Sequence, residues 1–121
     1  LKAMANQSYS GGCQCGAVRF TVEADLDQTI TCNCSRCRPL GMILAFAPES
    51  AFDLRQGEGA LSEYRFNQRK IAHLFCATCG VQSFGKAAGP DGVPMMAINA
   101  RCLDGVDPAD LSPRPVDGRN F

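Results

Sequence analysis

The chain lacks net charge, long apolar runs and helical periodicity, and it has a single histidine. Twelve basic residues cancel twelve acidic ones, so there is no electrostatic footprint for nucleic acid. No apolar stretch approaches the roughly 20 residues that a membrane-crossing helix requires. The N-terminus shows no secretory apolar core. Met4 reads as a natural start, which makes Leu1-Lys2-Ala3 a candidate cloning remnant. No segment repeats apolar residues at a 3.6 period over a helix's length, and this points away from helical classes. A length of 121 residues bounds the chain to one domain with a small core.

Cysteine is abundant. Seven of the eight fall in three clusters: Cys13-Gln14-Cys15, Cys32-Asn33-Cys34-Ser35-Arg36-Cys37 and Cys76-Ala77-Thr78-Cys79. Without a secretory signal, such thiols point to the reducing cytosol and to metal rather than disulfides. A structural zinc takes four protein ligands, whereas a catalytic one keeps three and an open position. Seven clustered thiols therefore divide into one closed site and one open site.

The rest of the chain reads as short strands between turns, an all-β (mainly β) class. Val18, Phe20 and Val22 alternate with Arg19, Thr21 and Glu23, the period of a half-buried strand. Ile30, Cys32 and Cys34 share a parity, so a strand runs into the second cluster. The continuously apolar run Met42 to Ala47, stopped by Pro48, fits a buried strand. Leu61 to Phe66 and Lys70 to Phe75 form two more around Asn67-Gln68-Arg69. Val81 to Lys86 and Met95 to Arg101 follow, separated by Gly89-Pro90-Asp91-Gly92. The tail from Pro108 is expected to be irregular. The expected organisation is an N-terminal tail over 1–10 and one zinc domain over 11–121.

Cys15 and Cys79 are each followed by glycine. A glycine there can turn with positive φ and leave backbone N–H groups aimed at thiolate sulfur. Cys13, Cys15, Cys76 and Cys79 thus suit a tetrahedral four-thiolate site tying the first strand to a much later one, with metal binding contributing to folding. Cys32, Cys34 and Cys37 offer three thiolates in six residues. Only His73 and Cys102 remain as further soft ligands, and if neither reaches the ion its fourth position is free. Three thiolates on a divalent ion leave an excess negative charge, which suits holding a thiol better than activating water. Arg36 and Arg38 flank Cys37, where they can offset that charge or grip a substrate carboxylate, or simply form a solvated face. His73, between core-like Ile71 and Phe75, reads as structural, near enough to Cys76 to support a ligand. Cys102 reads as a buried or free thiol.

At these clusters the sequence resembles the glutathione-dependent formaldehyde-activating enzyme family, which includes centromere protein V. The resemblance is carried by Gly11-Gly12-Cys13-Gln14-Cys15-Gly16-Ala17-Val18, by Cys32 to Cys37, by Phe75-Cys76-Ala77-Thr78-Cys79-Gly80, by Ile98 to Asp104 and by Phe46. It implies a β-tent fold of small antiparallel sheets. It implies a structural zinc on Cys13, Cys15, Cys76 and Cys79 and a catalytic-type zinc on Cys32, Cys34 and Cys37. It also implies carbon–sulfur lyase chemistry joining glutathione, or a similar small thiol, to formaldehyde. The competing expectations are a non-catalytic zinc module that docks a partner through Met42, Leu44 and Met95-Met96, and a thiol redox or metal-buffering protein.

Overall fold

The computed structural model describes residues 6–66, 69–89 and 91–119. The residues before Met4, and positions 67, 68 and 90 of two expected turns, lie outside them. The chain is mainly β, as expected. Its strands are β1 (Asn6–Gly12), β2 (Arg19–Asp25), β3 (Ile30–Cys32), β4 (Leu44–Pro48), β5 (Phe52–Gln56), β6 (Leu61–Tyr64), β7 (Ala72–Cys76), β8 (Phe84–Ala88), β9 (Pro94–Asn99) and β10 (Arg114–Val116). A single turn of helix, α1 (Cys37–Leu40), follows the second cysteine cluster.

The strands form a three-stranded sheet, β1-β2-β5, and a seven-stranded sheet, β10-β3-β4-β9-β8-β7-β6. All pairings are antiparallel except β10 on β3. The inner faces of the two sheets enclose the core. Phe20, Val22 and Ala24 of β2 are buried while Glu23 is exposed, so the alternation read from the sequence holds. Phe20 and Phe52 of the small sheet meet Phe84 of the large one, with ring centroids 4.7–5.8 Å apart, a spacing that suits tilted aromatic pairs. Ile98 and Val18 are fully buried beside them.

Three strands depart from the expectation. β1 takes in Asn6 to Ser10, residues assigned to a tail. It is an edge strand of Ser and Gly with little buried surface, so no apolar pattern announces it. β10 runs through the tail expected to be irregular, and Pro115 sits there on a sheet edge, where a missing N–H does no harm. β5 was also unexpected, although Phe52 and Leu54 alternate with Asp53 and Arg55. β9 stops at Asn99 rather than Arg101, because the Asn99 side chain accepts the Arg101 N–H at 3.1 Å and opens a 3-10 turn.

The outer face of the large sheet positions the site. Register places Phe46, Ala97, Gly85, His73 and Tyr64 in one cross-strand row. Ile30 pairs with Leu44, and Cys32 with Val116, further along. Met42 to Ala47 was expected to be buried throughout. Phe46 is instead 44% exposed, because its parity turns it away from the core that Ala45 and Ala47 fill.

Candidate metal centres

The first centre joins two turns that lie far apart in sequence. Cys13 and Cys15 follow β1, Cys76 ends β7, and Cys79 closes the knuckle after it. Gly16 and Gly80 adopt φ of 86° and 82°, as their places after the cysteines require. The Cys13 sulfur lies 3.7 Å from that of Cys15, and Cys15 lies 3.7 Å from Cys76. A disulfide needs about 2.05 Å. Four sulfurs about 2.3 Å from a central zinc stand about 3.8 Å apart along a tetrahedron's edges. These two pairs hold that spacing, and all four sulfurs lie within 4.8 Å of one another. Backbone N–H groups support them: Val18 donates to Cys13 at 3.3 Å, and Thr78 and Cys79 donate to Cys76 at 3.4 and 3.5 Å. The N–H groups of Val81 and Cys15 hold the Cys79 thiol down to about 6. Donors of this kind stabilise thiolate, the form that binds metal.

In the second centre, the sulfurs of Cys32, Cys34 and Cys37 lie within 4.8 Å of one another. β3 delivers Cys32, a turn carries Cys34, and α1 begins at Cys37. Cys34 and Cys37 are buried and Cys32 half-buried. The Cys37 N–H donates to the Cys34 sulfur at 3.3 Å. Burial works against the Cys34 thiolate, yet the N–H groups of Cys37 and Arg36 prevail and its acidity is raised. Burial pushes Cys37 strongly the other way. Among the described residues no fourth ligand joins these three, and neither His73 nor Cys102 belongs to either group. Both groups of thiols can hold a metal ion, and their all-sulfur donor sets fit zinc.

Arg36 is part-buried and is not on a solvated face. Its guanidinium lies over the rings of Tyr64 and Phe75, at 5.0 and 5.9 Å from their centroids. Its Nε and NH2 donate to Gln82 Oε1 at 3.1 and 2.6 Å. Arginine can only donate, so Oε1 is the Gln82 atom facing it. Gln82 Nε2 then faces His73 Nδ1 at 3.3 Å. The amide must donate there, so Nδ1 accepts and the neutral imidazole carries its proton on Nε2. Burial and the Arg36 charge both disfavour a second proton on His73. His73 stacks on Phe66, centroids 5.4 Å apart. It is structural in its packing, and it serves the second centre's cleft rather than Cys76. Cys102 is half-buried, its sulfur 3.9 Å from the Gln82 carbonyl, and burial pushes it up to about 11, so it is an unreactive thiol.

Two clefts meet at the second centre. One, of about 520 Å³, is lined by Cys32, Cys34 and Cys37 and runs along the outer sheet face past Leu44, Phe46, Ala97 and Met95, with His73 and Gln82 on one wall. The other, of about 690 Å³, is lined by Cys32 and Cys37, Asn33, Arg38, Arg101 and Asp117. Asp117 is paired with Arg119, and Arg101 spends its Nε on the Gly41 carbonyl at 3.0 Å. Arg38 is exposed.

Residues 8–115 match the family described as glutathione-dependent formaldehyde-activating enzyme. The chain belongs to that family. A solved protein of Rhodobacter sphaeroides, a structural-genomics target, is similar to this family member at 34% identity and a TM-score of 0.78. The likeness covers 88% of this chain and 97% of that one. Two residues that line the clefts of this family member, Gln82 and Arg101, were not singled out in the sequence. Gln82 left little signal, since it stands beside Ser83 in a short mixed segment with no motif around it. Arg101 lies in the Ile98 to Asp104 segment that resembles the family, but its place at the cleft follows only from the turn that Asn99 caps.

Proposed function

We propose that the chain is a zinc enzyme of carbon–sulfur lyase type that joins a small thiol to an aldehyde and reverses that addition. Cys13, Cys15, Cys76 and Cys79 hold the structural ion, and Cys32, Cys34 and Cys37 hold the ion at the working site. The observation that carries this reading is a three-thiol cluster, without a fourth ligand among the described residues, at the meeting of two clefts. When bound there, zinc supplies a soft cation that favours the thiolate form of an incoming thiol.

In the reaction the thiol releases its proton and its sulfur lone pair forms the C–S bond. The carbonyl π pair moves to oxygen, which takes up a proton. The product is an S-(1-hydroxyalkyl) thioether, and nothing is oxidised. His73 presents Nε2–H as a neutral donor to that oxygen, in the tautomer fixed by Gln82. Arg38 and Arg101 give the polar cleft two cations for the carboxylates of a thiol such as glutathione. Arg36 contributes through Gln82 and does not grip the substrate. Action in the reducing cytosol, where glutathione is the prevailing small thiol, is part of this reading.

The alternative, a docking module, placed its contact at Met42, Leu44 and Met95-Met96. Met42, Leu44 and Met96 are buried, and no sulfur or imidazole seals the second centre among the described residues. Both observations favour catalysis. The test replaces zinc with cobalt(II) and adds glutathione while the visible spectrum is followed. The expected result is a spectral change that saturates at one of two cobalt equivalents per chain and disappears in Cys34→Ser. An unchanged spectrum would overturn the reading.

A further inference from the structure

The two clefts differ in chemistry, and this difference names the carbonyl partner. The polar cleft has Arg38 and Arg101. The other is walled by Ile30, Leu44, Phe46, Met95, Ala97 and Phe66. Of its polar side chains, Arg69 and Lys70 are exposed to solvent and can keep their water, and two of the others are committed to protein partners. Gln82 is held by Arg36 and His73, and Lys86 pairs with Glu49. A glycyl or glutamyl amide entering this cleft would find only the His73 Nε2–H, which the aldehyde oxygen takes, so each group left without a partner costs about 1–3 kcal/mol. Formaldehyde would leave it nearly vacant, since a molecule little larger than water takes only about 30 Å³ of about 520 Å³.

We infer that the apolar cleft receives the hydrocarbon arm of an aliphatic aldehyde, so that the substrate is the hemithioacetal of a hydrophilic thiol with an alkanal. This inference deepens the proposed function and rests on it. The sheet register explains the cleft's depth. Ala97 and Gly85, neighbours of Phe46 in the cross-strand row, leave a trough between Phe46 and His73 that larger side chains would fill. The 44% exposure of Phe46 is then a wall awaiting cover. One centre joins the two clefts, because Cys32 and Cys37 line both. Sulfur and carbonyl carbon meet there, the thiol's body lies toward Arg38, and the alkyl arm lies along the sheet. Bond formation balances as above: RCHO and R′SH give RCH(OH)SR′, with the thiol proton ending on oxygen.

The test uses stable thioethers as mimics of the adduct. The affinities of S-methyl through S-octyl glutathione for the zinc-loaded chain are measured by calorimetry, alongside those of the straight-chain aldehydes alone. Each methylene in contact with the cleft is expected to tighten binding about three- to fourfold, with a plateau once the trough is full. Ala97→Phe, which fills the trough, should flatten the series while the chain keeps two zinc ions, the zinc content showing that the second centre is intact. A chain-length trend for the aldehydes with no binding of any glutathione thioether would uphold the apolar site and overturn the glutathione reading. Equal affinity along both series would overturn the inference, whether or not the thioethers bind. So would sedimentation as a dimer that dissociates on Phe46→Ala, since a second copy would then cover the face.

Discussion

Gln82 shows how much a single neutral side chain can decide. It faces a donor-only guanidinium on one side and an imidazole on the other, so its amide has one allowed orientation, and that orientation fixes the histidine tautomer. Gln82→Glu keeps the acceptor for Arg36 but removes the N–H that His73 Nδ1 needs. The ring then gains by placing its own proton on Nδ1 and donating to the carboxylate. Imidazole ¹⁵N shifts should report an Nε2–H ring in the parent protein and an Nδ1–H ring in the variant, with loss of rate but not of zinc. Gln82→Leu leaves both partners unsatisfied in a buried place and should cost about 1–3 kcal/mol in denaturant midpoints. An unchanged ring tautomer in Gln82→Glu would remove Gln82 from its positioning role. The sequence marked Cys32, Cys34 and Cys37 as ligands through spacing alone. It could not say what Arg36 touches, because adjacency to Cys37 says nothing about which neighbour a long side chain reaches. Tyr64, Phe75 and Gln82 come to Arg36 from β6, β7 and the segment before β8, and only the fold brings them there.

At the scale of elements, the two cysteine groups serve different parts of the structure. Cys76 is 1% exposed and packs within the core while also facing Cys15. The Cys15–Cys76 span of 61 residues means that a bound ion removes about 4 kcal/mol of chain entropy from the unfolded state, by the rule for cross-linked loops. Folding energy from such a zinc is on the order of 10–16 kcal/mol, as large as the about 5–15 kcal/mol by which whole domains are stable. Cys76→Ser should therefore leave a chain without cooperative thermal unfolding. Cys34→Ser removes a sulfur from a loop on the outer sheet face. It should retain the parent's far-UV circular dichroism, lose one zinc of two and lose all activity. Equal destabilisation by the two substitutions would contradict the division of roles. The grouping of the cysteines was legible in the sequence because the glycines after Cys15 and Cys79 mark knuckles and the second cluster has none directly after a cysteine. The edge strands β1 and β10 were not, since a strand with one neighbour and little buried surface needs no apolar alternation.

Across the whole molecule, the two centres lie on opposite sides of the same large sheet's business: one beside the core that β2, β8 and β9 close, the other under two clefts open to solvent. Ligand number and the span of chain that supplies the ligands act together on metal release. An ion at Cys32, Cys34 and Cys37 has three protein ligands to break and a chelator can reach it through either cleft. An ion on the four-sulfur centre is reachable at the exposed Cys15, but its four ligands come from two turns far apart in the chain, so it is stripped only as β1 and the β7 knuckle come apart. Titration with a chromogenic chelator should accordingly proceed in two phases. The first releases one zinc equivalent with no change in circular dichroism and is slowed by a thioether that fills the clefts. The second releases the other equivalent together with loss of the β signal, and its rate tracks global unfolding as denaturant is raised. Release of both ions in one phase, coincident with unfolding, would mean that the second centre is as much a staple as the first.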